Sequence, residues 1–154
     1  FPTDGSCKPC SPIRAETLLK KCVLIMDGSL PVGLVANTAA VLAMSLGRLH
    51  PELIGADLPD QDGQIHPGIT TIVLPVLKSQ PEQMANIARR ARELPSSEVL
   101  VIDFTSLAQQ AKTYGDYQSA LSATQATALR YVGLCLFGQA AHIKSLTGSL
   151  PLLR

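Results

Sequence analysis

The sequence predicts an α/β domain of two or three layers built on a four-stranded sheet, and three observations carry that prediction. Two apolar runs, Val23-Leu-Ile-Met-Asp27 and Val99-Leu-Val-Ile-Asp103, each stop at an aspartate and offer a hydroxyl two residues later, at Ser29 and Thr105. A strand buried on both faces reads as such a continuous run rather than as an alternation. Two further apolar segments, Ile69 to Leu77 and Leu129 to Phe137, supply the remaining strands. The stretches between them carry helical spacing, and strands alternating with helices make layered α/β domains.

Composition bounds the rest. The chain has 154 residues, 46% hydrophobic and 16% charged, with a net charge of +1 and no Trp. That length fits one domain, read as residues 20–154 after an irregular arm at 1–19 that holds three prolines. A near-neutral charge demands neither nucleic acid nor a membrane surface as partner. Cys7 and Cys10 form a Cys-x-x-Cys pair in the arm. Half a zinc site, a redox pair and two incidental thiols are its readings, and no second Cys or His pair completes a metal site. Cys22 and Cys135 fall in apolar runs and read as core residues. Reduced thiols and no recognisable leader give a cytoplasmic expectation.

Cys22 to Met26 is the first strand. Ser29 suits a helix N-cap and Pro31 the first turn, so a helix is expected to about Leu46, with Gly47 as its stop. No charge occurs from Gly28 to Gly47, about the length of a membrane span. The polar and turn-forming residues inside it favour a buried core helix. Gly33, Ala36, Ala40, Ala43 and Gly47 make a smooth face expected to lie close on the sheet.

Residues 50–68 form a long polar loop with His50, His66, Asp57, Asp60 and Asp62. An Asp-x-Asp-Gly fragment there lacks the remaining ligands of a calcium loop and reads as a surface turn. Pro75 interrupts the second strand and argues for an edge or a strand end. Pro81 opens a helix to about Leu94, whose Arg89, Arg90 and Arg92 could meet phosphates but read first as a solvated face. Residues 103–127 are polar and largely helical in pattern, and Gln139 to Leu146 makes a short last helix.

Phosphate-loop, dinucleotide, nucleophile-elbow and histidine-metal motifs are absent from the sequence, so no cofactor or metal is expected. The polar candidates are Asp27 and Asp103, with Thr105 beside them as catalytic residues. Asn37, Thr38 and His66 are the candidate ligand contacts, His66 closing the site from the loop. Two close carboxylates could share a proton or a metal, or each could cap the chain that follows it.

Several segments carry a family resemblance. Lys21 to Asp27, the small-residue helix around Val35-Ala-Asn-Thr-Ala-Ala, Ile72 to Leu77 with Pro81-Glu-Gln-Met, Val99 to Asp103, and Gly133 to Leu153 resemble the type 2 peptidyl-tRNA hydrolases. A bacterial and fungal family, the domain of unknown function numbered two thousand, is more similar still at Asp27-Gly-Ser-Leu-Pro, His66-Pro-Gly, Asp103-Phe-Thr and Thr147-Gly-Ser-Leu-Pro-Leu-Leu-Arg154. The resemblance implies the hydrolase fold with a four-stranded mixed sheet, a homodimer, and a small molecule or tRNA-derived ligand with no membrane. It matches Asp103 to a catalytic position, and the hydrolase lysine falls at or near Leu34. Losing that cation removes several kcal/mol of transition-state stabilisation. Two functions follow: a hydrolase without its usual lysine, with Asp103 as general base, or a non-catalytic homodimeric module that binds a small ligand or RNA.

Overall fold

Four strands pair into one mixed sheet in the order β4-β1-β6-β5, described here from a computed structural model covering residues 19–154. The strands are β1 (Lys20–Asp27), β4 (Val76–Ser79), β5 (Val99–Thr105) and β6 (Tyr131–Gln139). β1 runs parallel to β4 and antiparallel to β6, and β5 runs antiparallel to β6. A separate two-stranded pair, β2 (Leu58–Pro59) and β3 (Ile65–His66), folds the long loop back on itself. The Cys7–Cys10 pair lies outside the described residues.

Helices cover both faces. α1 (Val32–Leu49) lies on one face, and α2 (Pro81–Arg92) with α5 (Ala140–Thr147) on the other. The alternation of side chains along a strand divides β1 accordingly. Cys22, Leu24 and Met26 join Leu42 and Leu46 of α1, while Val23 and Ile25 join Met84, Ile87, Ile143 and Leu146 of α2 and α5. The arrangement is three layers, the upper of the two numbers the sequence allowed. β6 is buried from Tyr131 through Gly138, as a central strand with both faces covered must be.

Close approach of α1 to β6 depends on Gly133. A Cβ there would stand 2.5 Å from Thr38 Cγ2 and 3.2 Å from Leu42 Cδ1. Thr38 is fully buried at this contact and its hydroxyl donates to Leu34 O at 2.8 Å, which satisfies it inside the helix. Cys22 and Cys135 are buried free thiols with sulfurs 3.7 Å apart. Contact with Cys22, then burial, pushes the Cys135 thiol pKa up, so the pair is an inert part of the core.

Several expected boundaries shift. α1 starts one residue after Pro31, which takes the capping position and has no polar side chain to offer, and it runs past Gly47. The small residues Gly33, Ala36 and Ala40 face away from the sheet, which α1 meets through Thr38, Leu42 and Leu46. The reversed orientation follows from size: the branched side chains fill the interlayer space and the small ones are left outside. Pro75 precedes β4 rather than interrupting it, so residues 69–75 form an extended approach instead of a strand. β5 continues two residues beyond Asp103. The polar stretch after it breaks into α3 (Ser106–Gln110) and α4 (Tyr114–Ser122), the latter opened by a capping box of Thr113 and Asp116.

β4 is an edge strand with Pro75 just before its start, so both alternatives that Pro75 left open hold, but its outer side is covered. Lys78 N donates to Pro151 O at 2.8 Å and Leu153 N to Val76 O at 2.9 Å, with Leu152 bridged to Leu77. A paired edge offers no template for another strand.

Candidate functional site

Asp27 ends β1 almost fully buried, and the following turn consumes its carboxylate. Oδ1 accepts from the Ser29 backbone N–H at 2.9 Å and from the Ser29 hydroxyl at 2.7 Å, an Asx-type turn. Oδ2 lies 3.8 Å from the Arg130 guanidinium. Around it is an open depression of about 400 Å³ at the carboxyl ends of β1 and β4, with Lys78 and Glu82 on its rim.

Asp103 belongs to a different depression. About 440 Å³ of space lies between α1 and the α3–α4 segment, lined by Val41, Ser45, Asp103, Phe104, Lys112, Tyr114 and Tyr117. One side chain holds the carboxylate in place. Arg92 of α2 donates to Asp103 Oδ2, and its other terminal nitrogen donates to the Tyr131 hydroxyl at 2.9 Å. Partial burial works against the Arg92 charge, but Tyr131 and then Asp103 more than offset it, leaving the guanidinium pKa above its ordinary value. Tyr117 stands across the depression. Burial first, then the Asp103 charge and Tyr114, raise its phenol above the usual tyrosine range. The Tyr114 and Tyr117 rings meet edge to face at 5.8 Å, and Tyr114 is 82% exposed.

The two aspartates therefore do not share a site. β6 runs between their strands, which sets them two strand spacings apart, about 9.5 Å, before any offset along the sheet. Each has its own arginine and its own depression. Thr105 is fully buried at a bulge opposite Tyr131, and its hydroxyl has no hydrogen-bond partner among the described residues. It lines neither depression. Asn37 is exposed on the outer side of α1, and Thr38 is the packing residue described above. His66 sits on the β2–β3 pair with Nε2 3.1 Å from Asp60 Oδ2. That contact, followed by the Gln64 N–H, lowers the Asp60 pKa. His66 does not line the Asp103 depression.

Of the six candidates, Asp103 alone borders the larger of these two spaces. Arg92, Tyr131, Lys112 and Tyr117 were not singled out as its neighbours. Arg92 read as one of three solvated arginines on an amphipathic helix, and nothing local in the sequence tells which of the three turns inward. No group of three or more His, Cys, Asp or Glu side chains able to hold a metal occurs among the described residues.

The family described as Protein of unknown function (DUF2000) matches residues 20–154. No curated protein matches the chain. A solved structure of a protein of unknown function from Agrobacterium tumefaciens is similar, with a TM-score of 0.79 at 17% identity, covering 87% of this chain and 97% of that one. At that identity the likeness is one of fold.

Proposed function

Because the chain belongs to the family of proteins of unknown function DUF2000, we propose its role from its own geometry: a non-catalytic binding domain, on the type 2 peptidyl-tRNA hydrolase fold, that holds a small molecule or tRNA-derived end beside Asp103. The observation that carries this reading is the Arg92–Asp103 ion pair. A guanidinium that Tyr131 holds in turn fixes Asp103 through Oδ2 alone, so among the described residues Oδ1 is left to accept a hydrogen bond from a ligand. Leu34 at the position matched to the hydrolase lysine supports the non-catalytic part of the reading, since no cation there can stabilise developing charge.

The depression nevertheless has the parts of a binding site. It combines an aromatic edge from Tyr114 and Tyr117, an apolar wall from Val41 and Phe104, and polar groups at Asp103 and Lys112. Mostly apolar concavities with a few convergent polar groups are where small ligands bind. The resemblance of Lys21 to Asp27, Val99 to Asp103 and Gly133 to Leu153 to that family supports the fold.

The test pairs turnover with binding. Peptidyl-tRNA incubated with the wild type and with Asp103→Asn is expected to be cleaved at the same background rate. A thermal-shift screen is expected to find a stabilising small molecule, worth about 2.7 kcal/mol at a hundred times its Kd. Cleavage by the wild type that disappears in Asp103→Asn would overturn the reading in favour of a hydrolase.

A further inference from the structure

A third depression, of about 510 Å³, is larger than either of those described above. It lies between α2 and the helical turn Ala126–Ala128 that leads into β6. The spacing of α2 builds one wall. Met84, Ile87, Ala88 and Ala91 face the core, so Ala85, Arg89 and Arg92, four and three residues apart, fall on an adjoining stripe and line the space. Leu129 and Tyr131 supply its apolar side. Tyr131 belongs to the core, and Leu129 and Ala85 are partly buried against it.

Both guanidinium groups are oriented by neighbours. Arg92 is held from two directions, by Asp103 and by the Tyr131 hydroxyl. Arg89 donates to Glu93 Oε1 at 2.6 Å and to Asn86 Oδ1 at 2.9 Å. A guanidinium carries five N–H donors, and these contacts use two on each arginine. Three on each remain free among the described residues. Asn86 adds its amide N–H groups, since its carbonyl oxygen is the atom that meets Arg89. Acceptors are scarcer. Glu93 is the one carboxylate on the lining, and it is tied to Arg89. Asp103, which answers Arg92, lines the other depression. The lining therefore carries two positive charges and one negative, and it is rich in donors.

We infer that this space is a second binding site, for a small carboxylic acid whose carboxylate takes the free N–H groups of Arg92 and Arg89 while its apolar body lies on Leu129 and Tyr131. Arginine presents paired N–H groups that match the two oxygens of a carboxylate. One negative charge balances the excess on the lining. The volume falls within the range of roughly 300–1,000 Å³ that small-ligand pockets occupy. A side chain already held in place loses little freedom when a ligand arrives, and the apolar body displaces water from the exposed parts of the floor. The inference goes beyond the proposed function and does not depend on what occupies the Asp103 depression.

Titration of the isotope-labelled full chain with phenylacetate, followed by nuclear magnetic resonance, tests it. The Arg92 Nε–H and the backbone amides of Ala126 and Leu129 are expected to shift along one saturable curve, with a Kd of about 1 mM or tighter. Phenylacetamide keeps the body without the charge, and acetate keeps the charge without the body. Each is expected to bind about tenfold more weakly or worse. Arg92→Lys retains the charge and loses the fork, and Ala126→Glu sets a carboxylate at an exposed position on the lining. Each is expected to weaken phenylacetate about tenfold, with thermal unfolding showing both variants folded. Phenylacetamide binding as well as phenylacetate would overturn the inference, as would an affinity unchanged in both variants or the absence of any saturable shift. Tyr117 and Lys112 report separately on the Asp103 depression. Shifts confined to them would also overturn the inference while leaving the proposed function standing.

Discussion

Arg92 of α2 reaches across the sheet edge to Asp103 of β5 and holds the Tyr131 hydroxyl of β6 with its second nitrogen. One side chain thus ties a helix to two neighbouring strands. The Asp103 side chain is 26% exposed and that of Arg92 44%, so solvent screens part of the attraction. Arg92→Leu is expected to cost about 1–2 kcal/mol and Asp103→Asn somewhat less, with a coupling of about 1 kcal/mol in a double-mutant cycle. Urea denaturation of the four proteins measures it. A coupling indistinguishable from zero would make the pair a contact without energetic consequence.

Thr105 buries a hydroxyl that has no partner among the described residues. Removing a buried polar group that pairs with nothing relieves a desolvation cost. Thr105→Val is therefore expected to leave stability unchanged or raise it by up to about 1 kcal/mol. A loss of more than that amount on thermal unfolding would reveal a hydrogen bond to a buried water.

Tyr117 has a phenol pKa raised first by burial and then by Asp103 and Tyr114. The proton is held more tightly in the folded state than in the unfolded state. Its stabilisation is thus complete below the ordinary tyrosine pKa of about 10 and is lost as pH rises from there through the folded value. Spectral titration at alkaline pH is expected to show a late-ionising tyrosine that vanishes in Tyr117→Phe. The late component surviving that substitution would assign it to another ring.

The segment after Gly148 seals the outer edge of β4 through two backbone hydrogen bonds and the partly buried Leu153. Deleting residues 151–154 is expected to cost about 2–3 kcal/mol and to increase aggregation, since the uncovered edge can pair with another chain. Light scattering during refolding, compared with the intact chain, measures the second effect.

Much of this architecture is legible in the sequence, and the reasons it is legible are local. β1 and β6 announce themselves because strands covered on both faces cannot tolerate polar residues. Pro81 marks the start of α2 because proline suits a first helical turn. The orientation of α1 was not legible. Its small and its branched residues both recur at helical spacing, and periodicity alone does not say which stripe meets the sheet. The site was harder still. Asp27 and Asp103 end similar apolar runs, but what surrounds each carboxylate comes from residues far away in the chain. Arg130 reaches one and Arg92 the other, and no spacing in the sequence encodes that choice. Thr38 and Asn37 are adjacent and polar, yet a rotation of 100° along the helix buries one under Gly133 and exposes the other.

The place of β6 has a kinetic consequence. It lies between β1 and β5, and its pairing with β1 joins residues far apart in the chain, such as Cys22 with Phe137 and Leu24 with Cys135. Until β6 has been synthesised, β1 and β5 are apolar strands with no neighbour between them. Distant pairings of this kind slow folding because loop closure must precede any reward. Nascent or truncated chains that stop short of Tyr131 would carry two sticky strands and no means of joining them, which makes β6 the closing piece of assembly and its arrival the step at which chaperones would be most needed.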